Sequence, residues 1–167
     1  MSGVRQKAGT SARTAAGLAD QGDTFRARPV IESDLAAITG LDKVNTGKAK
    51  PKYWRSLYER YRTPGRPRFF LVGESGGVFA GFIIGEVRAW EFGSPPCGWV
   101  FAIGVVPEQR VQNVGSRLFD ELCRQFKQAG VDKIRTMLAR QDNLVMSFFR
   151  SQGMMAGPFI ELEKSLD

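Results

Sequence analysis

Between Val105 and Leu118 the chain switches from strand to helix within a few residues. Val105-Val106 closes an apolar run, Pro107 marks a turn, and Glu108 to Asn113 is largely polar. From there Val114, Leu118, Leu122 and Phe126 recur on one face of a helix that stops near Gly130. A strand feeding directly into an amphipathic helix commits the chain to a layered arrangement, with the helix laid back across a sheet. The same junction gathers backbone N–H groups at a helix N-terminus, where they can hold a phosphate. In open sheets such junctions are places where ligands bind.

The flanking segments read in the same terms. Residues 1–24 are rich in Gly, Ser, Ala and Thr without a period, which predicts a flexible leader. Residues 25–167 read as a single domain. Phe25 to Pro29 is a short strand, Ser33 caps a helix to about Thr39, and 40–50 is a loop. A second helix follows Pro51, with Tyr53, Leu57 and Tyr61 at helical spacing. Strands are expected over Arg68–Val72, Val78–Trp90 and Gly98–Val106, the first two joined by Glu74-Ser75-Gly76-Gly77. Beyond the central helix come a strand at Lys133–Leu138, a helix at Asn143–Gln152 and a closing strand at Phe159–Leu162. The expected class is therefore α/β: a mixed sheet with helices on both faces.

Composition narrows the chemistry. The chain has no histidine, which removes the commonest general base and most transition-metal ligand sets. Two cysteines, Cys97 and Cys123, are too few for a disulfide scaffold or a zinc site and read as buried or incidental thiols. No apolar run approaches the roughly 18 residues of a membrane helix, and residues 1–24 carry no secretory signal, so a cytoplasmic location without a metal is expected. Lys and Arg exceed Asp and Glu by 24 to 17. Nine of those cations lie between Asp42 and Arg68: Lys43, Lys48, Lys50, Lys52, Arg55, Arg60, Arg62, Arg66 and Arg68. That run is a solvated face, or it attracts a polyanionic cofactor or an acidic protein.

Three groups of residues give the chain a family likeness. Arg110-Val111-Gln112-Asn113-Val114-Gly115 resembles the Gln/Arg-x-x-Gly-x-Gly/Ala pyrophosphate loop of the GNAT N-acetyltransferase superfamily, with Asn113 in place of the first glycine. Asn143, Phe148-Phe149 and Gly153-Met154 fall at the spacing of that superfamily's last helix. Arg28-Pro29 followed by Asp34-Leu35 is similar to its opening pattern. The resemblance spans about residues 25–165 and includes the order of elements.

What it implies is an acetyl-CoA-dependent N-acetyltransferase acting by direct attack of an amine. The acceptor would be a protein lysine, a protein N-terminus or a small amine. The strand Gly98–Val106 would pair with the pantetheine arm through Ile103, Gly104 and Val105, with the Ile103 N–H polarising the thioester carbonyl. Backbone N–H groups of Arg110, Val111, Gln112, Asn113, Val114, Gly115 and Ser116 would hold the pyrophosphate. Asn143 and Phe149 would flank the pantetheine, Arg150 would meet an adenosine phosphate, and Leu144 and Phe148 would be core. A homodimer is implied as well.

Two departures bear on the chemistry. Phe149 stands where relatives often carry the tyrosine that protonates the leaving thiolate. A thiolate with a pKa near 8.5 also leaves without that proton. The strand Gly98–Val106 has no carboxylate to serve as base, so Glu86 on the preceding strand is the first substitute, with Glu91, Glu161 or a water chain behind it. Trp90, Phe92, Trp99 and Phe101 either line an acceptor pocket or pack within the sheet. The alternative to an enzyme is a non-catalytic acyl-CoA-binding or sensing domain. A nucleic-acid-binding module rests on charge alone.

Overall fold

A computed structural model describes residues 24–166, so nearly all of the expected leader lies outside the described residues. Five strands form one sheet in sequence order: β1 (Arg26–Pro29), β2 (Arg68–Ser75), β3 (Val78–Arg88), β4 (Cys97–Val105) and β5 (Ile134–Thr136). The first four are antiparallel, and β4 pairs with β5 in parallel. Helices α1 (Leu35–Thr46) and α2 (Pro51–Arg62) cover one face; α3 (Val114–Gln128) and α4 (Asn143–Ser151) lie on the other. The mixed sheet with helices on both faces matches the expectation. No helix among the described residues is long and apolar enough to cross a membrane.

The central strand shows why the pattern folds this way. Along β3, Phe82 and Ile84 enter the α1/α2 layer with Trp54, Leu57 and Phe70, while Ile83 and Val87 enter the α3 layer with Leu118, Leu122 and Phe126. A strand buried on both faces must be apolar at every position, and 82–84 is. Packing on the α3 face is close: a Cβ on Gly98 would lie 2.6 Å from the Phe126 ring, so glycine at that point of β4 admits the ring.

Several expected boundaries move. Helix α1 runs through Gly40 to Thr46 and ends at Gly47, whose φ of 74° lets its N–H close on the Lys43 carbonyl at 2.8 Å. Burial of Leu41 and Asp42 offsets the cost of about 1 kcal/mol for a glycine inside a helix. Asp42 accepts from Trp54 Nε1 at 2.9 Å and meets Lys50 Nζ at 3.1 Å, which pins α1 to α2. Ser33 does not cap; it lies in a 3₁₀ turn, Glu32–Asp34, that precedes α1. Tyr53 is exposed, and α2 buries Trp54, Leu57 and Tyr58 instead. Strand β5 is three residues long. Phe159–Leu162 forms no strand, and its Phe159, Ile160 and Leu162 are exposed. Its apolar character is a local signal, whereas a sixth strand needs a partner edge, and β5 offers only three residues.

The opening Arg28 and Asp34 form a bidentate ion pair, Nη1 to Oδ2 at 2.7 Å and Nη2 to Oδ1 at 2.8 Å, with Glu74 on the other side of the guanidinium. It ties β1 to the entry of α1. Burial pushes the Asp34 carboxyl up, but Arg28 and the Ile31 N–H outweigh it and hold the group below its usual range. A depressed folded-state pKa contributes stability above the unfolded value, about 4, and the contribution is lost as pH falls through the folded value. Asp34→Asn is expected to lower stability by roughly 2–3 kcal/mol at neutral pH. Urea melts at successively lower pH should show wild type and variant converging below about pH 4.

Candidate acyl-transfer site

The site begins with a break in the β3–β4 ladder. Ile84 faces Ala102, but Gly85 faces Val100, so Phe101 is the extra residue of a β-bulge. Pairing of β4 with β5 covers Gly98, Trp99 and Val100 and stops at that same bulge. Beyond it the strands part.

The ladder also settles which way the backbone of β4 points. Val106 N–H donates to Ala80 O at 2.9 Å, which makes that pair a hydrogen-bonded one. Alternation along the antiparallel register then turns Gly104 and Ala102 toward β3, and turns the N–H groups of Ile103 and Val105 away from it, into the gap. A groove of about 220 Å³ lies there. Val100, Phe101, Ala102 and Ile103 line one side of it. Thr136, Met137, Leu138, Ala139, Asp142, Val145 and Phe149 line the rest.

At the upper end of β4 the chain enters a 3₁₀ turn, Pro107–Gln112, then Asn113, then α3. Asn113 sits at φ 55° and ψ 22°, the left-handed conformation that asparagine tolerates best after glycine. The expectation for the loop needs correcting in one respect. The N–H groups of Arg110, Val111 and Gln112 belong to a 3₁₀ turn, whose i to i−3 bonds direct them back along the turn. Arg117 N–H makes the first α-helical bond, to Asn113 O at 3.0 Å, so Val114, Gly115 and Ser116 supply the free first-turn donors of α3. A Cβ on Gly115 would lie 3.1 Å from the Phe148 ring and 3.4 Å from Val105, so glycine lets α3, α4 and β4 meet closely here. Ser116 Oγ accepts from Gln152 Nε2 at 2.9 Å, joining the start of α3 to the end of α4.

The other expected residues divide. Phe149 is buried, within 6 Å of both Phe119 (5.9 Å) and Phe148 (5.2 Å) between ring centres, and lines the groove. Phe148 is half-buried, as a core residue would be, but Leu144 is exposed, because α4 turns that side outward. Asn143 and Arg150 are exposed, and neither lines the groove. Asp142 lines it instead; its carboxylate accepts from Val145 N–H at 3.2 Å and caps α4. Asp142 and Thr136 escape sequence reading, although an Asp just before a helical run is a recognisable cap.

Glu86 lies on the α1/α2 side of the sheet, opposite Trp99, half-buried between Arg88 Nε at 3.4 Å and Arg68 Nε at 3.7 Å. All three tyrosines of the chain, Tyr53, Tyr58 and Tyr61, lie on α2, and none lines the groove. Cys97 is buried, and burial followed by the charge of Asp120 pushes the Cys123 thiol up to about 11, so neither is a ready nucleophile. Trp90 and Phe92 project into solvent from a loop where both have positive φ, 65° and 48°, so they are not sheet packing.

This combination of parted strands, exposed strand N–H groups and a helix N-terminus suits an extended ligand ending in phosphates. Residues 35–154 match the sequence model of the Acetyltransferase (GNAT) family. The chain belongs to the GNAT acetyltransferase family. Acetyl-CoA is the co-substrate of GNAT enzymes, and they need no metal. No curated protein matches the chain in sequence.

Solved structures show the fold. An aminoglycoside N-acetyltransferase, AAC(6')-Iy in complex with CoA, superposes with a TM-score of 0.76 at 16% identity, over 89% of this chain and 99% of that one. The aminoglycoside 6'-N-acetyltransferase AAC(6')-Ih of Acinetobacter baumannii gives 0.72 at 15%, over 86% and 99%. Glucosamine-6-phosphate N-acetyltransferase of Arabidopsis thaliana gives 0.66 at 19%, over 87% and 100%.

Proposed function

We propose that this GNAT domain transfers acetyl from acetyl-CoA to a primary amine by direct attack within a ternary complex. The observation that carries the reading is the parting of β4 from β5 at the Phe101 bulge, which leaves strand N–H groups facing a groove between β4, the segment after β5 and α4. Pantetheine would lie along β4 beside Ile103, Gly104 and Val105, with Phe149 beneath it. The pyrophosphate would meet Val114, Gly115 and Ser116, with Asn113 shaping the turn, Arg110 supplying charge and Arg150 reaching the adenosine phosphates.

The Ile103 N–H would stabilise the oxyanion that develops on the thioester carbonyl. The amine arrives from the α1/α2 side, because α3 and α4 occupy the other. Glu86 is the carboxylate on that side of the sheet beside β4, and it would take the amine proton through water. Water also serves the leaving thiolate, as no tyrosine lines the groove. On resemblance we place the protein in the cytoplasm as a homodimer; the acceptor classes open to it are a small amine, a protein N-terminus or a lysine.

One observation favours a non-catalytic acyl-CoA binder: Phe149 in place of the acid. Calorimetry with acetyl-CoA at moderate salt, followed by thiol release over an amine panel, separates the readings. Saturable one-to-one binding with turnover is expected. Glu86→Gln should then cost about tenfold in kcat/KM below pH 8, less than the usual ~10²–10⁴ for a general base because water shares the role, and the deficit should close as pH rises. Binding without turnover on any amine leaves the binder. No binding by the folded protein sinks both.

A further inference from the structure

Phe101, the bulge residue, lines the groove and also carries a second structure. The Arg88 guanidinium carbon lies 5.0 Å from the centre of the Phe101 ring and 5.0 Å from that of Trp99. The cation thus lies over two aromatic rings on the α1/α2 side of the sheet, one of them, Phe101, a lining residue of the groove. Its hydrogen bond to a carboxylate runs through Nε, a long one to Glu86 at 3.4 Å, and Nε also approaches Glu91 at 3.8 Å. That leaves the Nη1/Nη2 edge, the fork that grips a carboxylate or phosphate with two bonds. The charges facing this spot are Glu86 and Glu91 against Arg68, Arg88 and Arg135. Arg68 lies on the far side of Glu86, and Arg135 is bonded to Ser94 Oγ. Arg68 in turn donates through Nη1 to the Arg60 carbonyl at 3.1 Å.

We propose that Arg88 is an acceptor-specificity residue, and that the acceptor amine carries a carboxylate or phosphate which the Arg88 fork binds beside the thioester. The proposal rests on the acetyl-transfer reading of the same groove. It sets this chain apart from enzymes of the same fold that take aminoglycosides, since a polycationic acceptor would face the Arg88 guanidinium where an anionic group would pair with it. A single anionic group here compensates the local excess of positive charge and fixes the amine relative to β4.

The test is matched binding on one scaffold: phosphoethanolamine, ethanolamine and ethylenediamine, with β-alanine against β-alaninamide as the carboxylate arm. Calorimetry and the tryptophan fluorescence, to which Trp99 beneath Arg88 contributes, are read with and without CoA, since the platform is already formed in this structure. The anionic member of each pair should bind about tenfold or more tightly, the value of one charge-assisted contact. Preference for phosphoethanolamine alone identifies a phosphate source, and for β-alanine a carboxylate source.

Arg88→Gln should bring the anionic-to-neutral ratio close to one, and Arg88→Lys should restore it only in part, with circular dichroism reporting the fold of each. Equal binding within both pairs, tighter binding of ethylenediamine, or a ratio that Arg88→Gln leaves intact overturns the proposal. Failure of acetyl-CoA to bind would instead overturn the transfer reading, while the anion preference would still be measured on the free protein.

Discussion

Ile103→Pro should lower kcat by about 10²–10³-fold, the usual loss on removing one oxyanion donor. The substitution is informative because of where the backbone points. Ile103 N–H faces the groove, so proline there deletes no bond to β3, and the extended strand conformation accommodates its fixed φ. Ala102 before it is also in a strand, which is what a residue preceding proline requires. The lost side chain is a separate matter, since Ile103 packs against the α3 layer. Ile103→Ala removes that packing and keeps the N–H. Both variants should lose roughly 2 kcal/mol of stability. Only the proline variant should lose kcat; the added ring methylenes enter the groove and raise KM for acetyl-CoA as well. Equal kcat in the two variants would remove Ile103 from the chemistry.

The contrast between local and global signals explains what could be read from the chain. Helix α3 was legible because Val114, Leu118, Leu122 and Phe126 share a face, and all four are buried. Strand β3 was legible because it is apolar on both faces. The site's governing feature was not. The bulge at Phe101 arises from pairing with β3, and the departure of β4 from β5 arises from where that bulge falls; neither leaves a mark in the periodicity of Gly98–Val106. Arg88 was equally silent, being one more cation in a basic chain until the sheet laid it over Trp99 and Phe101. Leu144 and Phe159–Leu162 misled for the opposite reason, since apolar residues at regular spacing suggest burial whether or not a partner surface exists. Gly40 misled because a residue's intrinsic preference was weaker than the burial of its neighbours.

The loop residue that departs from the family pattern admits the sharpest separation of conformation from side chain. Asn113 holds φ 55° between the 3₁₀ turn and α3, and its side chain makes no cap hydrogen bond there. If its contribution is the backbone angle, Asn113→Gly should keep acetyl-CoA affinity or improve it slightly, as glycine takes this angle freely and lets the backbone approach a phosphate more closely. Asn113→Val also deletes the amide, but a β-branched residue at positive φ costs about 1–3 kcal/mol of strain. The turn would relieve it by reshaping, which moves the N–H groups of Val114, Gly115 and Ser116 off the position they share. Affinity for acetyl-CoA should then fall by about 10–100-fold, the equivalent of about 1.4–2.8 kcal/mol. Calorimetry on the three proteins gives the order directly. Glycine equal to asparagine, with valine far below, assigns the role to backbone geometry. Glycine and valine falling together would assign it to the asparagine amide, and asparagine in place of glycine would then hold the cofactor through its side chain as well as through the shape of the turn.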